Sequence, residues 1–139
     1  TAAAILGVPA PRKGFVGCDG IVSALAAQRR IRALSRRGFS LKAMARETGA
    51  SVFTVDSIRN GNRTRIRVSM DQAIHAAYNR LWNADPLDFG VTPGGVTQAR
   101  NWAAEQEWAP PAAWDDDTIG DPRAKPKGML PRGGEEIGA

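Results

Sequence analysis

The sequence has 139 residues, of which 42% are hydrophobic, and this length and composition fit one modest core with appended segments. No apolar run approaches the roughly 18 residues of a membrane-spanning helix, and residues 1–8 lack the basic start and long apolar stretch of a secretory signal. The single cysteine and single histidine exclude an internal disulfide and a zinc site, while 19 Lys and Arg against 14 Asp and Glu give a net charge of +5. We therefore expect a cytoplasmic protein without a membrane anchor, metal or cofactor.

Residues 1–20 are predicted to be the remnant of an upstream helix followed by a linker. Residues 1–8 are rich in alanine, and residues 9–20 contain two Pro and three Gly. The first helix of the domain is predicted over 21–37, with Asp19 as its N-cap and Gly38 as the residue that ends it. Its inward positions recur at helical spacing and are Ala24, Ala27, Ile31 and Leu34.

Two short helices are predicted next, joined by three residues. Ser40 is a good N-cap for helix two, which ends at Gly49, and Ser51 is a good N-cap for helix three, which ends at Asn60 and Gly61. The stripe of helix two that faces the core is Leu41, Met44, Ala45 and Thr48, and the inward side of helix three is Val52, Val55 and Ile58.

The second half of the domain is predicted to hold two longer helices. Residues 63–68 alternate Arg with aliphatic residues or Thr and suit a short extended arm. Ser69 and Gln72 form a capping box for helix four, and Thr92 with Pro93 starts helix five. The inward residues are predicted to be Ile74, Ala77, Tyr78 and Leu81 on helix four, and Val96, Ala99 and either Trp102 or Ala103 on helix five.

Residues 109–139 are predicted to form an extended tail, rich in Pro, Trp and Asp and disordered past about residue 121. We expect its first part to pack back on the domain, because Trp108 and Trp114 are too large and apolar to leave exposed beside a small core. The run Asp115 to Asp117 is then expected to reach basic side chains on helix one. Three consecutive acids cannot all face one ion, so a metal site is not predicted there.

Two features indicate a helix-turn-helix that binds DNA. Ala45 is small where helices two and three would cross, and Gly49 can adopt the positive φ that reverses the chain. Residues 12–67 carry 13 Lys and Arg against 3 Asp and Glu, whereas residues 68–121 carry 2 against 9. A basic half beside an acidic half is typical of a polyanion-binding surface next to a separate partner surface, so double-stranded DNA is the expected partner.

The segment LKAMARETGASVFTVDSIRNG, residues 41–61, resembles the lambda-repressor-like helix-turn-helix. Together with RRIRALSRRGFS, YNRLW and the closing ARNWAAEQEWAPPAAWDDDTIGDP, it resembles helix-turn-helix proteins of actinobacteria and their phages. This resemblance implies an all-α fold of about four to five helices over residues 21–108, and a transcriptional regulator associated with the nucleoid. Members often carry two such motifs in tandem, and TAAAILGV resembles the end of the first, so either a homodimer or a tandem motif upstream is expected.

The docking geometry of such motifs assigns roles to the candidate contact residues. The N-terminal half of helix three enters the major groove. The candidates for base contact are Ser51, Val52, Phe53 and Thr54, with Ser57 one turn further on. The candidates for phosphate contact are Ser40 and Lys42 at the start of helix two, and Arg59, Asn60, Asn62 and Arg63 at the end of helix three. Arg65 and Arg67 on the arm extend that grip or enter the minor groove.

Selectivity for DNA sequence is expected to be modest, because no Arg, Asn or Gln heads helix three to read a base with two hydrogen bonds. Catalysis is not predicted, since His75 has no Ser, Cys or Asp partner in a recognisable pattern. The alternative is a protein-interaction adaptor, in which the acidic, Trp-rich C-terminal half binds a protein of the transcription machinery and the helix-turn-helix is a scaffold.

Overall fold

The computed structural model describes residues 20–127, which are mainly helical, as the sequence predicts, with one small sheet. The strands are β1 (Ile21–Ser23) and β2 (Arg65–Arg67), and the helices are α1 (Leu25–Arg37), α2 (Leu41–Thr48), α3 (Val52–Arg59), α4 (Val68–Leu81) and α5 (Pro93–Glu105). Short 3₁₀ helices cover Pro86–Phe89 and Pro111–Ala113. None of the helices between residues 20 and 127 is long and apolar enough to cross a membrane. The expectations for residues 1–19 and 128–139 lie outside the described range.

The first helix begins later than predicted, because residues 21–23 form a strand. β1 pairs antiparallel with β2, with Val22 opposite Ile66, and these two face inward while their neighbours along each strand are exposed. The Ala24 amide then donates to the Thr64 carbonyl oxygen over 2.9 Å. The predicted N-cap, Asp19, lies outside the described residues, and α1 starts behind Ala24 without a side-chain cap. The predicted arm is therefore one strand of a paired ribbon.

Helix α1 is the central element, and α3, α4 and α5 all pack against it. Its predicted inward residues are buried. Gly38 ends the helix at φ 110°, and a Cβ there would lie 2.7 Å from Val96 Cγ1 of α5, so glycine permits both the turn and the close approach. The largest fully buried side chains around α1 include Phe39, Met44, Ile58, Ile74 and Leu81.

The predicted capping box at Ser69 and Gln72 is wrong. β2 continues directly into α4, which already begins at Val68, so Ser69 lies inside the first turn. The Val68 amide donates to the Gly20 carbonyl oxygen over 2.8 Å, and this bond replaces a cap from a side chain. The start of α5 is as predicted, since Thr92 Oγ1 accepts from the Gly95 amide at 3.0 Å.

The inward position left open on α5 is filled by Ala103, which is fully buried, whereas Trp102 is 46% exposed. The tail then runs back along α1. Ile119 is 1% exposed, and the Arg29 guanidinium donates to the carbonyl oxygens of Ile119 and Asp121 at 3.0 and 2.8 Å. One carboxylate of the acidic run reaches helix α1 as predicted, because Asp116 Oδ1 lies 3.6 Å from Arg30 Nη2. Its Oδ2 lies 3.3 Å from His75 Nε2, so the expectation that His75 has no Asp partner is wrong.

Candidate nucleic-acid interface

Helices α2 and α3 are built from local capping signals. Ser40 Oγ accepts from the Ala43 amide at 3.2 Å, and Ser51 Oγ accepts from the Thr54 amide at 3.0 Å. Gly49 has φ 79°, and its amide donates to the Ala45 carbonyl oxygen over 2.9 Å, which closes α2 and reverses the chain within three residues. The two helices therefore take the positions that the sequence predicts for them.

Helix α3 is anchored on one side and open at its first turn. Val55 and Ile58 are buried at 1% and 0% exposure, whereas Phe53 is 73% exposed and Val52 is 41% exposed. The prediction that Val52 faces inward is wrong, because the first turn of α3 extends past the buried contact. The exposed Val52 and Phe53 are nevertheless where the base-contact prediction needs them.

The hydroxyls of α3 already have partners within the helix. Ser57 Oγ donates to the Phe53 carbonyl oxygen at 2.9 Å, and Ser51 Oγ lies 3.0 Å from Thr54 Oγ1. The Ser51 and Ser57 hydroxyls donate internally and keep lone pairs, so they suit amino groups of bases. Thr54 Oγ1 accepts from Ser51 Oγ and keeps its own proton, so it can donate to a base acceptor. The apolar pair Val52 and Phe53 is the more distinctive chemistry at this end of the helix.

Arg59, predicted to contact the DNA backbone, is turned inward. Its side chain is 13% exposed, its Nη1 donates to Ser35 Oγ at 3.3 Å, and its Nη2 lies 3.4 Å from Asp56 Oδ1. Its guanidinium also lies over the ring of Trp108, at 5.4 Å from the centroid. Burial lowers the pKa of Arg59, and Asp56 opposes that shift. Arg59 therefore joins α3 to the tail, and sequence reasoning had no local signal for this.

The residues that follow α3 remain at the surface. Asn60 Oδ1 accepts from the Asn62 amide at 2.9 Å, and the Arg63 amide donates to the Ser57 carbonyl oxygen at 3.0 Å. These bonds fix the turn after α3 and leave the side chains of Asn60, Asn62 and Arg63 exposed. They stay available as candidate phosphate contacts.

The pairing of β1 with β2 places Arg65 and Arg67 on one face of the two-stranded sheet. Both are exposed and flank the buried Ile66, so they share the outer face of β2. The residues paired with them across the ribbon, Ser23 and Ile21, are also exposed. Two guanidinium groups therefore project from a short, paired strand that lies between α3 and α4 in the chain.

Much of the basic charge is used inside the fold. Residues 20–67 contain eleven Lys and Arg, and six of these have hydrogen bonds or ion pairs within the protein, namely Arg29, Arg30, Arg32, Arg37, Arg46 and Arg59. The described residues offer no such partner to the other five, which are Arg36, Lys42, Arg63, Arg65 and Arg67. A count of charges along the sequence therefore overstates the number of cations available to a polyanion.

The start of α2 has neighbours that sequence reasoning missed. Ser40 and Leu41 share a cavity of about 310 Å³ with Gln98 and Trp102 of α5. Lys42 is exposed on the same first turn of α2. Because α5 lies beside the candidate phosphate contact, its polar face borders that part of the surface. Helical spacing leaves either Trp102 or Ala103 facing inward, so the sequence does not predict that Trp102 is exposed here.

The described residues hold no group of three or more His, Cys, Asp and Glu placed to bind a metal ion. No protein-family model, curated protein or solved structure matches the chain. The function therefore has to be inferred from the chemistry of this surface.

Proposed function

We propose that this protein binds double-stranded DNA, with the first turns of α3 in the major groove, and that it regulates transcription. The observation that carries the proposal is the open first turn of α3, where Phe53 is 73% exposed although the rest of the helix is anchored on the core. A short helix held behind a tight turn, with its N-terminal residues projecting, is the arrangement with which helix-turn-helix proteins read base edges.

The contact chemistry of this helix favours apolar reading. Phe53 and Val52 suit the methyl group of thymine, and no side chain at this end forms two hydrogen bonds to a guanine or an adenine. Selectivity would then be modest, and affinity would come largely from phosphates. Lys42 on α2, Arg63 in the turn after α3, and Arg65 and Arg67 on β2 are the exposed cations that we propose for these contacts.

Regulators of this type cover two half-sites, through a dimer or a second motif. We propose that a second copy, or a tandem motif upstream, supplies the other half. The polar face of α5 beside Ser40 would then lie close to the phosphate strand that the start of α2 approaches.

The test is duplex binding by the full chain, measured by fluorescence anisotropy over a range of salt concentrations. About three to five phosphate contacts give a log–log slope of roughly −3 to −4.5. Arg123→Ala is a matched control for Arg65→Ala, because Arg123 is 92% exposed but belongs to the tail. A slope near zero, or an equal loss in both variants, would contradict the proposal.

A further inference from the structure

A groove on the opposite, acidic half of the chain has aromatic walls. It lies between the C-terminal half of α4 and the tail and encloses about 460 Å³. The residues that line it are Tyr78, Asn79, Trp82, Pro111, Ala112, Trp114 and Asp116. Trp82 is 42% exposed, which is unusual for so large an apolar side chain with a neighbouring core available.

The rings of the groove are held in place from behind. The Arg29 guanidinium stacks over Trp114 at 4.5 Å from the ring centroid, and the buried Arg30 lies 5.9 Å from the ring of Tyr78. Because the rear faces of these rings already carry cations, the groove is poorly suited to binding a lone cation by its aromatic faces. It is suited to an apolar ligand that needs flat walls in fixed positions.

Three side chains of the groove, Tyr78, Asn79 and Trp82, can donate hydrogen bonds, while Asp116 only accepts them. Among the described residues, the Tyr78 hydroxyl, the Asn79 amide and the Trp82 indole N–H have no hydrogen-bond partner. Burial, together with the charge of Asp116, raises the pKa of Tyr78 to about 12, so its hydroxyl stays a neutral donor at physiological pH. Donor-rich, aromatic walls match a ligand with many carbonyl oxygens and few N–H groups.

A polyproline II segment is a ligand of that kind. Proline has no backbone N–H, the extended helix exposes its carbonyl oxygens, and its rings pack flat against Trp and Tyr. Asp116 forms one wall of the groove, and its side chain stays 54% exposed although its oxygens lie 3.6 Å from Arg30 Nη2 and 3.3 Å from His75 Nε2. The surrounding residues 68–121 carry nine acidic against two basic side chains. This charge favours a basic residue beside the prolines.

We infer that this groove binds an extended, proline-containing peptide of a partner protein, with Lys or Arg next to the prolines. The inference does not depend on DNA binding, because the groove and the first turn of α3 share no residue. The tail then forms one wall of the peptide-binding groove, and Trp82 is the side chain on which the peptide's prolines pack.

The experiment uses the full chain labelled with ¹⁵N and a synthetic peptide, Ala-Pro-Pro-Leu-Pro-Pro-Arg-Lys, as the probe. The protein has four Trp, so four indole N–H signals report on four places. The signals of Trp82 and Trp114 should shift and saturate, while that of Trp102, which is exposed on α5, stays in place. Each signal is assigned by a Trp→Phe substitution.

Two sets of controls distinguish binding in this groove from non-specific binding of the peptide to exposed aromatic side chains. Trp82→Ala should weaken peptide binding about tenfold or more, and the similarly exposed Trp102→Ala should leave it unchanged. A peptide with Ala in place of every Pro should lose binding, and one with Gln in place of Arg and Lys should bind less tightly. Because these peptide controls use the unchanged protein, they test the inference even if Trp82→Ala folds poorly. The inference is overturned by an absence of shifts at millimolar peptide, by equal shifts at Trp102, or by equal binding of the peptide without prolines.

Discussion

Nε of Arg32, on α1, donates a 2.7 Å hydrogen bond to the main-chain carbonyl oxygen of Arg59, the last residue of α3. The ring of Trp108 lies within 5.0 Å of the Arg32 guanidinium and 5.4 Å of that of Arg59, measured to its centroid. Burial lowers the pKa of both arginines, and the charge of Arg59 lowers that of Arg32 further. One tryptophan of the tail therefore covers the junction between α1 and the end of α3, and α3 depends on the tail for its support.

Replacing Trp108 with Ala should destabilise the protein, because partial ring burial and two cation–π contacts are lost together. We expect a loss of about 2 kcal/mol, which lowers Tm by about 5–10 °C in thermal unfolding followed by circular dichroism. The matched control is Trp102→Ala, whose ring is 46% exposed and which should change Tm by less than half as much. Equal effects in the two variants would show that Trp108 does not hold this junction.

Arg59→Ala should lower the stability of the fold, whereas Arg65→Ala should lower the affinity for DNA. Arg65 is exposed and without a partner among the described residues, so its loss should weaken all duplexes about equally and reduce the salt slope by about 1. Arg59 is engaged with Ser35, Asp56 and Trp108, so its loss should lower Tm and leave the slope unchanged. Parallel salt titrations and melting curves separate the two. If Arg59→Ala reduced the salt slope of DNA binding and left Tm unchanged, Arg59 would be a phosphate contact and not a structural residue.

Phe53→Ala should reduce selectivity among DNA sequences. If the ring meets a thymine methyl group, the variant should lose about 1 kcal/mol of discrimination between the preferred duplex and one with that base pair changed. Stability should hardly change, because the side chain is 73% exposed. Leu87→Ala removes another exposed apolar side chain, 49% exposed and outside α3, and serves as the control. The same loss of affinity on both duplexes would contradict the placement of α3 in the groove.

The ionisation of Tyr78 can be followed directly, since it is the only tyrosine of the chain. Burial raises its pKa to about 12, against 10.0 for a free phenol, so the phenolate absorbance of the folded protein should appear near pH 12. In urea the midpoint should fall near 10. Between these two pH values only the unfolded chain ionises, so the stability present below about pH 10 is progressively lost as the pH rises, by up to roughly 3 kcal/mol. A folded-state midpoint near 10 would show that the ring is solvated.

Two glycines at helix ends offer a matched pair of substitutions. Both have positive φ, 110° at Gly38 and 79° at Gly49, so alanine is strained at either position. A Cβ at Gly49 would meet nothing within 4 Å, whereas at Gly38 it would lie 2.7 Å from Val96 Cγ1. Gly49→Ala should cost about 1–2 kcal/mol, and Gly38→Ala should cost more, since α5 must also shift. Urea unfolding measures both, and the reverse order would contradict the packing of α5 on α1.

The parts of the fold that could be predicted from sequence are those specified by neighbours along the chain. Ser40, Gly49 and Ser51 act within a few residues, so the bounds of α2 and α3 could be placed. The strand at residues 21–23 could not, because its partner lies beyond three helices and its own residues also fit a helical pattern. The predicted start of α4 is wrong for the same reason, because β2 is held by a distant partner strand and runs directly into the helix.

In the candidate site, too, the residues positioned by their neighbours along the chain could be predicted, and those positioned by distant residues could not. Phe53 lies where helical spacing and capping place it, at the open end of α3. The inward turn of Arg59 depends on Trp108, and pairing of a guanidinium with a ring so distant in sequence leaves no local signal. The number of basic residues in the sequence also overestimates the cations available to DNA. Main-chain carbonyl groups such as those of Ile119 and Ala84 accept hydrogen bonds from arginines, and composition alone does not reveal these bonds.

The docking of the tail on α1 has a consequence for synthesis on the ribosome. The face of α1 that receives Ile119 and Gly120 is made early, yet its cover is among the last parts of the described chain to be translated. About 90 residues separate the two, so at about 5–20 residues per second the interval is roughly 4.5–18 s. During that time α2 and α3 already exist, but the junction that Trp108 covers is open. A nascent chain therefore carries α3 before it carries the segment that covers its junction with α1, and a stop codon upstream of the tail would leave that junction permanently open.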